Sequence, residues 1–185
     1  MEIASRPFWT VIHGMGFGGL FLLLCTGLLV EMYHRFYRNE TAEGPLLTTL
    51  LVLMSAFAWL AVLTGTYAVY PWYRAVLPAG TTDLTGYPQK LLLAHANTAG
   101  WHSIGMEWKE HVAWMVPIVI TMAAGVVVRY RNDLRNHPQL RSAVMVAVLC
   151  SVAAAGLASF WGAMINKYAP ITGGSMVTVM HGESR

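Results

Sequence analysis

Residues 89–130 read QKLLLAHANTAGWHSIGMEWKEHVAWMVPIVITMAAGVVVRY. Three histidines and the charged patch Glu107-Trp108-Lys109-Glu110 run directly into residues 112–128, which carry no charge and end at Arg129-Tyr130-Arg131. A bilayer's hydrocarbon core, roughly 30 Å thick, takes about 20 mostly apolar residues to cross as a helix. The stretch therefore combines a membrane span with a group of ionisable side chains at its mouth.

Working outward, three more runs of this kind appear. The predicted spans are residues 7–31, 45–70, 111–130 and 142–165, and the second contains no charge at all. In hydrocarbon each segment has to satisfy its own backbone hydrogen bonds, so each run is predicted to be helical. The whole chain agrees: of 185 residues, 56% are hydrophobic and 11% charged, against about 25% charged in a soluble domain. Mean hydropathy is +0.49. The expectation is an all-α integral membrane protein, a single four-helix domain over residues 1–185. The first run is longer than the apolar core of a secretion signal, and no small-residue cleavage site follows it, so it is read as a span. Cys25 and Cys150 both lie in apolar runs and read as small hydrophobes.

Two connections are short, residues 34–44 and 131–141. The middle one, residues 71–110, is long. Its first half is turn-rich (Pro71, Pro78-Ala79-Gly80, Asp83). Its second half, with Leu91, Leu92, Leu93 and Trp101, reads as an amphipathic helix lying in the interface. With four spans, both termini and the long loop share one face. The short loops concentrate Arg35, Arg38, Arg129, Arg131, Arg135 and Arg141, whereas Arg6, Arg74, Lys90, Lys109, Lys167 and Arg185 are spread more thinly opposite. That density places the short loops in the cytoplasm of a bacterial inner membrane, with the termini and long loop periplasmic or exterior. The net charge of +3 lies in loops. It forms no basic stripe interleaved with aromatics, so a nucleic-acid partner is excluded. The expected partners are the lipid bilayer and other membrane subunits.

Five of the seven histidines (His13, His95, His102, His111 and His181) fall on the long-loop face. His13 is the one Asp, Glu, Lys, Arg or His well inside a span, and such groups are functional candidates by default. Gly14, Gly16, Gly18 and Gly19 follow it and remove side-chain bulk, which suits a flat macrocycle at Gly16 and Gly19 or a small-residue packing face. Trp9 lies four residues before His13, and Trp108 three before His111. With tryptophans at headgroup depth, each imidazole would sit about one helical turn, roughly 5 Å, deeper. Two helices giving one axial histidine each is how membrane b-type cytochromes hold haem, so His13 and His111 are the candidate haem b ligands. The alternative for His111 is a surface pairing with Glu107. His95 and His102, seven apart, with Met106 four further on, form a candidate copper site, or the polar face of an interfacial helix.

Glu107 and Glu110 at a span mouth are candidates for exchanging protons with a quinone, and Tyr70 and Trp108 for gripping its ring. An aromatic belt explains the same rings. No nucleophile triad, phosphate loop or dinucleotide fingerprint is present.

Four spans with histidines gathered near one face resemble the small haem-b anchor subunits of respiratory enzymes. The resemblance is architectural, covers the spans, and implies a subunit passing electrons between the quinone pool and a partner inside a larger complex. The expectation is thus a b-type-cytochrome-like electron carrier rather than a stand-alone enzyme. A cofactor-free structural or assembly subunit and a copper-binding membrane protein are the alternatives.

Overall fold

The computed structural model describes residues 5–38 and 45–170. His181 and Arg185 lie outside them. Among the described residues, four helices are long and apolar enough to cross a membrane: α1 (Arg6–Tyr37), α2 (Leu46–Tyr73), α4 (Ala96–Tyr130) and α5 (Pro138–Tyr168). A short helix, α3 (Pro88–Leu93), lies in the long connection. The protein is an all-helical, multi-pass membrane bundle.

Each long helix contributes a stripe spaced three and four residues apart, the pattern of one helical face. Phe21, Cys25, Leu28 and Met32 from α1 meet Leu47, Leu51, Met54 and Ala58 from α2. Val116, Ile120, Ala123 and Val127 come from α4, and Val144 and Val148 from α5. Leu28, Leu51, Ile120 and Val148 are completely inaccessible. Their outward neighbours Leu23, Val52, Met122 and Leu149 stay exposed, as lipid-facing side chains should. The helices pack in the cyclic order α1–α2–α4–α5, and the α5–α1 seam is the least packed of the four.

The third membrane helix differs from expectation. It begins at Ala96, fifteen residues before the predicted start at 111, so the second half of the long loop is already helical and leads into the span, with the short helix Pro88–Leu93 before it. Gly100 and Gly105 read as helix breakers, yet Gly105 faces the Trp161 ring, where a Cβ would come within 3.0 Å. That glycine is there for close packing. His95, with extended backbone, starts the helix, its carbonyl accepting from Thr98 and Ala99. The helix is interrupted at residues 112–114. Pro117 supplies no N–H to the Ala113 carbonyl and its ring crowds it. Met115 and Val116 therefore bond three residues back, to Val112 and Ala113.

The long connection folds back onto the bundle. Tyr73, Leu92, Met106, Ile165 and Ala169 form a second apolar cluster closing that end, with Trp101 stacked on Tyr168 at 5.6 Å. An Asp83 turn, held by the Thr85 N–H (2.9 Å) and hydroxyl (2.7 Å), stiffens the remainder. The same bonds keep the Asp83 carboxyl below the usual carboxylate range.

Candidate functional site

Three of the long helices widen into π-helical turns at the long-loop end: Ile12–Gly18 in α1, Gly65–Val69 in α2 and Trp101–Met106 in α4. Such turns insert an extra residue, re-aim the side chains that follow, and recur at functional sites. Here they carry His13, Gly65 and His102.

His13 is part-buried, with Nδ1 2.8 Å from the Ala61 carbonyl oxygen. A carbonyl only accepts, so Nδ1 carries the proton and Nε2 keeps its lone pair. The ring lies against Gly65, where a Cβ would fall 2.6 Å from Cε1. That clearance comes from α2. Gly16 and Gly19, expected to serve a cofactor, meet only atoms of their own helix, and a Cβ at Gly14 would meet nothing.

The turn Glu107–His111 sorts its side chains by angle. Glu107 and Glu110, three residues apart, share one face and meet Arg74 at the end of α2. Arg74 Nη2 donates to both Glu110 oxygens at 2.8 and 3.0 Å and stands 3.6 Å from Glu107 Oε1. The guanidinium also lies over the Tyr70 ring, 5.4 Å from its centre. Lys109 points the other way, into the bundle, with Nζ 2.7 Å from where a Gly162 Cβ would stand.

His111 sits about 200° round the helix from Lys109, at 100° per residue. Its side chain is 73% exposed, its Nδ1 donates to the Glu107 carbonyl at 2.8 Å, and the Glu107 carboxylate lies at 3.8 Å. The chain therefore turns Lys109, not His111, inward, toward Gly162 on α5. Trp108 Nε1 and Arg74 Nε are buried without a hydrogen-bond partner among the described residues.

His102 has both ring nitrogens engaged. The Gln89 amide nitrogen lies 3.3 Å from Nε2, and Nδ1 is 2.9 Å from the Tyr73 hydroxyl. The amide donates to Nε2, which assigns the ring proton to Nδ1 and directs it to Tyr73. Met106 is buried in the apolar cluster beside Tyr73, and His95 is exposed at the start of α4. Among the described residues no group of three or more His, Cys, Asp or Glu side chains is arranged to hold a metal ion.

Residue reading picked out Glu107, Glu110, Tyr70 and His13 but not their organisers. In the sequence, Arg74 and Lys109 carry weight only in the charge count that sets topology. The available signal was the i, i+3 spacing of the two glutamates with the lysine between them, which forces opposite faces.

No family model matches the chain, and no solved structure matches it. Among curated proteins it is 26% identical over 171 residues to an apolipoprotein N-acyltransferase of Synechocystis sp., covering 89% of this chain. The chain spans 31% of that relative's length.

Proposed function

We propose that this chain is a quinone-reactive redox subunit working inside a larger membrane complex, with the long-loop end as its reactive end. The observation that carries the proposal is the Glu107–His111 turn, which holds two carboxylates outward on Arg74 and an amine inward at Gly162. Oxidising a quinol releases two electrons and two protons. The two electrons leave one at a time, to one-electron carriers of the partner subunits. The protons need a base beside the ring and a carboxylate open to water. His13 Nε2 is such a base, and Glu107, 44% exposed, is such an outlet. The unpaired Trp108 N–H and the Tyr70 ring are the donors and surfaces a quinone head uses. The arginine-rich short loops support an inner-membrane setting with this end periplasmic.

A haem b is the second reading, favoured by one observation. Both His13 and His111 donate Nδ1 to a backbone carbonyl at 2.8 Å, the tether that orients a histidine ligand and frees Nε2. A bis-histidine haem within one chain requires His111 to turn inward, because its ring now faces out. A dithionite-reduced spectrum with Soret and alpha bands that His13→Ala bleaches supports this reading; no bands removes it.

The quinone proposal is tested by titrating the full chain in lipid vesicles with a short-tailed quinone, following tryptophan fluorescence. The expected result is saturable quenching at a stoichiometry near one per chain. Quenching that only rises linearly with quinone in the lipid overturns the proposal.

A further inference from the structure

The connection between α4 and α5 is short, and its shape is closely held. Leu134 is 3% exposed and packs into the apolar core, which anchors the turn Arg131–Asn136 to the bundle. Asn136 Nδ2 donates to Asp133 Oδ1 at 2.8 Å, and His137 Nε2 stands 3.4 Å from Asp133 Oδ2. The His137 ring meets the Tyr130 ring edge-on, with centres 5.7 Å apart. Arg131 opens the turn at a φ of 41°, a conformation that a residue with a side chain keeps only where its surroundings enforce it.

These contacts fix the walls of a pocket of about 650 Å³, lined by Tyr130 from α4, Asn136 from the turn, and His137, Gln139, Leu140 and Ala143 at the start of α5. Tyr130 closes the α4 span, so the pocket lies at headgroup level. Its lining is amphipathic, with Asn136, His137 and Gln139 polar and Leu140 and Ala143 apolar. The apolar side does not stop there. Ala143 is exposed, and at steps of three residues it continues into Val146 and Leu149, 58% and 48% exposed on the lipid-facing side of α5.

The charge around the pocket has one sign. Residues 129–141 hold Arg129, Arg131, Arg135 and Arg141 against a single acid, Asp133, and that acid is engaged by Asn136 and His137. Arg129 Cζ lies 5.8 Å from the centre of the Tyr130 ring, on the pocket wall. Arg131 and Arg135 are exposed and have no ion pair among the described residues. Water would fill such a pocket, but it explains neither the surplus of cations nor the apolar wall that runs into the bilayer. A small free anion explains the first and not the second. A phosphate that carries acyl chains explains both, and basic pockets at span ends are where such headgroups bind.

We propose that this pocket binds one anionic phospholipid, its phosphate beside Arg129, Arg131 and Arg135 and an acyl chain against Ala143, Val146 and Leu149. The site lies at the opposite end of the bundle from the proposed quinone end and does not depend on it.

The test is native mass spectrometry of the full chain released from nanodiscs of equal phosphatidylglycerol and phosphatidylcholine. Wild type is expected to retain a single phosphatidylglycerol, preferred about tenfold over phosphatidylcholine, the order that a few arginines at a membrane surface supply. Ala143→Trp leaves every charge in place and fills the apolar wall, so it should lose both the retained lipid and the preference. Arg131→Gln,Arg135→Gln should keep a lipid of either kind and lose the preference. Both variants change exposed positions and should unfold at the wild-type temperature. Soluble glycerol phosphate in excess should leave the bound lipid in place.

A preference that survives Ala143→Trp reports diffuse attraction to the arginine-rich connection and overturns the pocket. A preference unchanged in the arginine pair overturns it independently, as does a wild type that retains the two lipids equally. Displacement of the lipid by glycerol phosphate marks a free-anion site and overturns the lipid assignment.

Discussion

Replacing Gly65 with valine is expected to destabilise the bundle by about 2–4 kcal/mol, combining overpacking with a lost hydrogen bond. The new Cβ would stand 2.6 Å from His13 Cε1 and 3.0 Å from Nδ1, and the ring has no free direction to yield. Its Nδ1 is tied to Ala61, one turn from the substitution on the same helix. Either the imidazole leaves that carbonyl or α1 and α2 move apart. Helix propensity works the other way, since glycine is worth about 1 kcal/mol less than alanine in a helix interior, but that gain is smaller than the clash. The contrast with Gly162 makes the argument checkable. There the obstructed atom ends a flexible chain, so Gly162→Ala should be close to neutral. Thermal unfolding of both variants in one detergent measures the difference. Equal unfolding temperatures would mean that the His13 ring does not rest on Gly65.

Glu110→Ala is the second large effect, with an expected cost of about 1–3 kcal/mol. A fully buried ion pair broken on one side costs roughly 3–5 kcal/mol, and an exposed one nearly nothing. The Arg74–Glu110 pair lies between, with side chains 34% and 19% exposed. Arg74 Nη2 would lose its closest acceptors, and its Nε is already unpaired. Glu107 at 3.6 Å takes part of the load, so Glu107→Ala,Glu110→Ala should exceed the sum of the single changes. Unfolding in detergent, read as a double-mutant cycle, measures the coupling. Strict additivity would show that the two carboxylates do not share the arginine.

The four membrane helices were legible because bilayer thickness and backbone hydrogen bonding leave an apolar run of that length a single solution. The cluster of ionisable groups at one end was legible for a related reason: ionisable side chains are expelled from the spans, so those that remain near them stand out. What stayed hidden depends on rotation and on close approach. Matching Trp9 with Trp108 set His13 and His111 at equal depth, but depth says nothing about azimuth. Two residues of helical rotation exchanged His111 for Lys109 on the inner face. Gly65 sits in an unbroken apolar run and Gly105 looks like a breaker. Only packing against His13 and Trp161 gives either its meaning. Arg74 follows a proline–aromatic turn, and its partners lie more than thirty residues along the chain, beyond any local spacing rule.

The most direct test of a reactive long-loop end is photolabelling with an azido-quinone in native membranes, followed by peptide mapping. Labels confined to residues 9–18, 65–74 and 101–111, and competed away by unlabelled quinol, are the predicted result. Labels spread along the lipid-facing sides of the helices, or gathered at the arginine-rich short loops, would contradict the account.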